Sequence, residues 1–156
     1  GSILREVIAA AELLSSDFSI ASNVWSVLGI NQLYRDGLMV EEWNRLHPDS
    51  PKKQNYVESL LEGSKGPAII STDHVCGYAE QMRSLVPQPL TVLGTDGFGR
   101  SDTREVLRHF FKVDRYHIVI AALKGLADAD KISAERVAEA LKKYKIDPDA
   151  PHPLTC

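Results

Sequence analysis

The chain has 156 residues, 44% hydrophobic and 25% charged, with a net charge of −3 at pH 7. That is the size of one domain able to bury its own core. No run reaches the ~18 uninterrupted apolar residues of a membrane helix, and the basic residues form a weaker and more interrupted stripe than a nucleic-acid footprint needs.

Ile3, Leu4, Val7, Ile8, Ala11 and Leu14 recur at three- and four-residue steps, which predicts an amphipathic helix ending near Ser15. Residues 19–27, SIASNVWSV, alternate loosely among β-branched and aromatic types and read as a strand. A second helix is expected over 30–46, broken or bent at Gly37, and a polar loop from His47-Pro48 through Lys53 follows it. Asn55–Leu61 reads as a short helix, Ala68-Ile69-Ile70 as a brief buried strand ending at Ser71-Thr72-Asp73, and 75–85 as a helix.

Pro87 and Pro89 lead into a third strand, 90–93, and then a turn containing Gly94, Gly97 and Gly99. A helix is expected to open at Asp102, with Glu105 three residues on. Asp114 is placed to cap the next helix, whose opening YHIVIA also reads as a strand; its length and alanines favour helix. Ser133 is placed to cap a last helix over 134–144, so residues 1–146 form one α/β domain and 147–156 an extended, mobile tail. Short strands alternating with helices predict three layers, αβα, around a mostly parallel sheet. The chain opens almost inside a helix, behind only Gly1 and Ser2, so a segment of a longer polypeptide is expected.

The glycine turn is the site candidate with a physical basis: Gly94, Asp96, Gly97, Phe98, Gly99, Arg100 and Asp102. The N–H groups of Thr103 to Glu105 are orphan donors at a helix start, where the dipole favours an anion. Asp96 and Asp102 compete for those donors, and the spacing matches neither the dinucleotide nor the P-loop pattern. A structural corner is therefore the favoured reading over a phosphate site. Asp73-His74, beyond the second strand, has the position of a functional group in α/β proteins but reads better as ordinary surface.

His47, His74, His109, His117 and His152 are scattered without metal spacing, so each is expected to be a surface or packed histidine. Arg104, Arg108 and Lys112 share a helix face expected to be solvated. Trp25 and Trp43 read as packing residues, or as surface uncovered where a partner domain is missing. Cys76 and Cys156 are the only cysteines; with one at the terminus no disulfide is expected, and free thiols suit a reducing, cytoplasmic setting.

Eight strings carry a resemblance: ILREVIAAAELL, ASNVWSV, NQLYRDG, EEWNRLHP, PAIISTD, AEQMRSLVP, VLGTDGFGRSDTREVLRHFF and HIVIAALKGLAD. Their order and spacing resemble the C-terminal domain of the homodimeric, bacterial-type pyruvate dehydrogenase decarboxylase components, over roughly Ile3 to Asp149. The chain departs from that pattern at VLGIN (27–31) and at DHVCGY after Thr72. The resemblance implies a transketolase C-terminal type of domain with a mixed sheet of about five strands, or one fewer here. It implies a parent enzyme that uses thiamine diphosphate and magnesium held by other domains. The parent oxidatively decarboxylates pyruvate and passes acetyl to a lipoyl group.

Implied partners are the remaining domains, a second copy, and the dihydrolipoyl acetyltransferase core. No magnesium–diphosphate motif occurs here, so no catalytic, cofactor or metal residue is assigned and the isolated domain is expected to be inactive. The alternatives are a phosphate- or nucleotide-binding module, a protein-docking module, and the equivalent domain of a related transketolase-like enzyme.

Overall fold

A computed structural model describes residues 1–155. Its elements in chain order are α1 (Leu4–Phe18), α2 (Ile30–Leu46), α3 (Tyr56–Leu60), β1 (Ala68–Ser71), α4 (Cys76–Glu80), β2 (Leu90–Leu93), α5 (Arg104–Phe110), α6 (Arg115–Asp128) and α7 (Ala134–Lys143). A single 3-10 turn, Pro153–Thr155, follows them.

β1 and β2 pair in parallel, Ala68 opposite Leu90 and Ser71 opposite Leu93, and α4 lies within the crossover between them. Side chains alternate across this ribbon as the pleat dictates. Ile69 and Leu93 face a core of Ala10, Leu14 and Phe18 from α1, Ile118, Val119 and Leu123 from α6, and Val137 and Ala140 from α7. Ala68, Ile70, Leu90 and Val92 face the other way, into a second core with Val57, Met82, Leu85, Ile30 and Leu33. The three-layer order is therefore the one expected. Val119 and Leu123 are wholly buried, and each such side chain contributes about 1.5–3 kcal/mol through burial.

Several expectations need correction. Two parallel strands form among the described residues, not a mixed sheet of about five. Residues 19–27 are not a strand. Ser19 adopts a left-handed conformation that ends α1, three residues beyond the expected stop, and residues 21–28 are all exposed. A strand exists only by pairing, and no neighbouring strand lies beside this segment among the described residues. Val24, Trp25, Val27 and Leu28 are left as an exposed apolar ribbon, with Leu28 at 92% exposure.

Gly37 neither breaks nor bends α2, which runs uninterrupted through it. A Cβ at that position would meet Leu85 Cδ2 at 2.1 Å, so glycine is there to let the second core approach the helix backbone. The helix expected over 75–85 stops at Glu80, because Met82, Arg83 and Leu85 take up tighter i→i+3 bonds ahead of Pro87 and Pro89. Ser133 holds the cap position of α7 without a side-chain cap bond. Asp114 caps α6 as expected, accepting from the His117 N–H at 2.9 Å. Cys156 lies outside the described residues.

Candidate functional site at the carboxyl ends of the strands

Asp73 and Thr95 lie just past the carboxyl ends of β1 and β2, where open α/β sheets place their crevices. Together with Ser2, Gly97, Arg100, Arg104, Leu107 and Phe111 they line an open groove of about 360 Å³. Gly97, Gly99 and Arg100 of the glycine turn line it, and most of the turn is engaged in contacts of its own.

The turn is tied back onto the loop that follows β1. Thr95 donates its N–H to the His74 carbonyl at 2.9 Å and its hydroxyl to the Asp73 carbonyl at 2.8 Å. Gly94 sits so close that a Cβ there would meet His74 O at 2.7 Å. Asp96 accepts from the Cys76 N–H at 3.0 Å, at the start of α4. Burial, reinforced by the Asp96 carboxylate, pushes the Cys76 thiol up to about 11. Gly97 has φ +98°, and a Cβ on it would strike the Pro153 carbonyl oxygen at 2.3 Å. The tail therefore packs on the turn, with Pro153 buried and the Ala150 carbonyl accepting from Lys112 Nζ at 3.3 Å. Phe98 is 83% exposed, and Gly99 has open space beside it. The Arg100 guanidinium lies over the Phe110 ring, 4.3 Å from its centroid.

The helix start differs from expectation in a way that bears on anions. α5 begins at Arg104, not Asp102, and Thr103 is its cap, its hydroxyl accepting from the Val106 N–H at 3.4 Å. Asp102 accepts from the neighbouring Thr103 N–H at 2.6 Å. At the start of α5 the Thr103 N–H is thus already served by Asp102 and the Val106 N–H by the Thr103 hydroxyl, two of the donors that a phosphate there would use.

The face expected to be solvated is only partly so. Arg108 reaches Glu6 of α1 at 2.9 Å. The same carboxylate accepts from Arg115 at its backbone N–H (3.1 Å), Nε (3.0 Å) and Nη2 (3.1 Å). Hydrogen bonds from Arg115 outweigh burial and hold Glu6 below the ordinary glutamate range. This clamp joins α1 to α5 and α6.

Beside the clamp the structure assembles a group that the spacing of histidines had not revealed. His109 Nδ1 lies 2.8 Å from Asp114 Oδ2, and His117 Nδ1 lies 2.7 Å from Asp114 Oδ1. Burial pushes the Asp114 carboxyl up, but the His117 ring and backbone N–H, with His109, pull it below its ordinary value. The legible signal was an N-cap aspartate with histidine at its third helical position. The missing one was the bend at Lys112, φ +57°, that brings His109 back.

His74 is exposed and packs against Tyr78. Trp43 is half-buried, stacked on His47 with Lys53 Nζ 3.8 Å from its ring centroid, while Trp25 is 50% exposed. No helix is long and apolar enough to cross a membrane among the described residues.

A parallel strand pair joined through a crossover helix, enclosed by helical layers and carrying an open crevice at its carboxyl ends, defines an α/β domain. The chain belongs to the family of transketolase-like TK C-terminal domains, whose model matches residues 1–114. It is 57% identical over 157 residues to a pyruvate dehydrogenase E1 component of Pseudomonas aeruginosa, with 100% of this chain and 18% of that protein covered. It is 52% identical to that of Cupriavidus necator, covering 99% of this chain and 17% of the relative. For Escherichia coli K12 the identity is 46%, covering 98% and 17%. The chain thus spans 17–18% of the length of these curated relatives.

Proposed function

We propose that this chain is the C-terminal supporting lobe of a pyruvate dehydrogenase E1-type enzyme, comprising one domain over 1–146 and a tail over 147–156. The observation that carries this reading is similarity along essentially the whole chain to enzymes of that name. Its role is architectural: it packs on the catalytic domains and on a second copy, and it helps shape the site where acetyl passes to the lipoyl group of the acetyltransferase core. The parent enzyme, an oxidoreductase of the cytoplasm, links the end of glycolysis to acetyl-CoA by oxidative decarboxylation of pyruvate.

Thiamine diphosphate and magnesium, when bound, supply the carbanion chemistry of the parent. The residues here do not fit that group. The turn's carboxylates are engaged with the Cys76 and Thr103 N–H groups, and Thr103 already serves the Val106 N–H of α5. The cofactor is therefore assigned to the other domains, and no reaction step is assigned to this lobe.

Two measurements test the reading. Calorimetry of the 156-residue chain with inorganic phosphate, nucleotides and thiamine diphosphate is expected to give nothing tighter than millimolar, about −4 kcal/mol. Micromolar binding of any of them would favour a ligand-binding module instead. Pyruvate-dependent reduction of an artificial electron acceptor is expected from the full-length enzyme and not from the chain alone; turnover by the chain would overturn the assignment. A docking role has one observation in its favour, the exposed Arg104 in the groove. Its test is capture of the purified acetyltransferase core by the wild-type chain and not by Arg104→Glu.

A further inference from the structure

We infer that His109, Asp114 and His117 form a binding site for a borderline divalent cation of the zinc, cobalt or nickel type, independent of the parent enzyme's magnesium. One donor atom of each residue lies within 4.8 Å of the other two. The donors come from three consecutive pieces of backbone: the last turn of α5, the cap of α6 and the first turn of α6. Asp114 is held in place by the His117 backbone N–H, the outer support that metal-ligating carboxylates normally have. Two imidazoles and one carboxylate suit zinc and its neighbours, whereas magnesium and calcium require oxygen donors.

Access and adjustability agree with this assignment. The Asp114 and His117 side chains are 10% and 13% exposed, while His109 is 54% exposed. The site therefore has a fixed floor and one open side, leaving a fourth position for water. Each ring nitrogen now shares a hydrogen bond with the carboxylate. A tetrahedral ion with ligands at about 2.0–2.2 Å sets them roughly 3.4 Å apart, so the rings separate from the carboxylate by about half an ångström and any ring proton on Nδ1 leaves to solvent. His109, on the last turn of a short helix, has room to make that move. The nearby Arg108 and Arg115 guanidiniums are occupied by Glu6, which offsets their repulsion of a cation.

The test is a cobalt(II) titration of the metal-stripped, tag-free 156-residue chain, followed by visible absorption and reversed by zinc(II). One ion per chain is expected, with Kd at or below about 10 μM. A rise of at least about 5 °C in Tm is expected at a hundredfold excess over Kd. His109→Ala, at an exposed position, should retain the wild-type circular dichroism and lose at least tenfold in affinity. His117→Gln should do the same; if it does not fold, His109→Ala decides. Absent or non-saturable binding overturns the site. So does unchanged affinity in His109→Ala, or an equal loss in the control variants His47→Ala or His74→Ala, which would mark an adventitious surface ion.

Discussion

Glu6 is 5% exposed and its carboxylate takes four charge-assisted or backbone hydrogen bonds from two arginines. Removing its charge leaves Arg108 and Arg115 facing a weaker acceptor, so Glu6→Gln should cost about 2–4 kcal/mol in urea unfolding. The folded-state pKa of Glu6 is depressed, as is that of Asp114. Their contribution is therefore complete above the unfolded carboxylate values of 4.5 and 3.8 and is lost as pH falls through the lower folded values. Stability should be flat above about pH 5 and decline below it, less steeply in Glu6→Gln than in wild type. Cys76 works in the opposite sense. With a pKa of about 11, well under about 1% is thiolate at pH 8.5, so iodoacetamide should modify it far more slowly than a free cysteine. Asp96→Asn should accelerate that reaction; an unchanged rate would mean that burial alone protects the thiol.

The helix ends show a shared economy at the scale of elements. α5, α6 and α7 each close on a residue in the left-handed region, Lys112, Asp130 and Lys145. The following N–H reaches back five residues in each case: Val113 to Arg108, Lys131 to Leu126, Ile146 to Leu141. None of the three is glycine. Lys145→Gly and Asp130→Gly should therefore each stabilise the chain by about 0.5–1 kcal/mol in thermal or urea unfolding.

These endings also explain what the sequence could show. The strands at 68–71 and 90–93 were legible because short apolar runs stand between glycine or proline markers. The turn at 94–102 was legible because two of its glycines, Gly94 and Gly97, are demanded by close backbone approach. Residues 19–27 carry the same alternation, but pairing is decided by a neighbour and not by local pattern. The His109–Asp114–His117 group was invisible for a related reason, since it depends on a lysine adopting a glycine-like conformation.

For the molecule as a whole, the glycine turn and the tail form one packed unit. Deleting residues 147–156 removes the Pro153 contact with Gly97 and the Lys112–Ala150 bond, and should cost about 1–2 kcal/mol while leaving the fold intact. Gly97→Val should cost more than about 2 kcal/mol in the complete chain, from both its positive φ and the clash with Pro153. In the deletion background the clash part disappears, so the two changes should couple by at least about 0.5 kcal/mol. Strict additivity would show that the tail does not rest on the turn. The exposed Val24–Leu28 ribbon matches, at this scale, the proposal that other domains of a longer polypeptide lie against this lobe.

The clamp at Glu6 has a consequence for biosynthesis. Its partner Arg115 lies 109 residues further along the chain, which at translation speeds of 5–20 residues per second means a wait of roughly 5–20 s. For nearly all of that interval the emerging first helix carries a carboxylate without either of its arginines, Arg108 and Arg115, and its apolar stripe lacks α6. The ribosome thus delivers the foundation helix long before its anchor, and the nascent lobe is sealed only once α6 clears the exit tunnel.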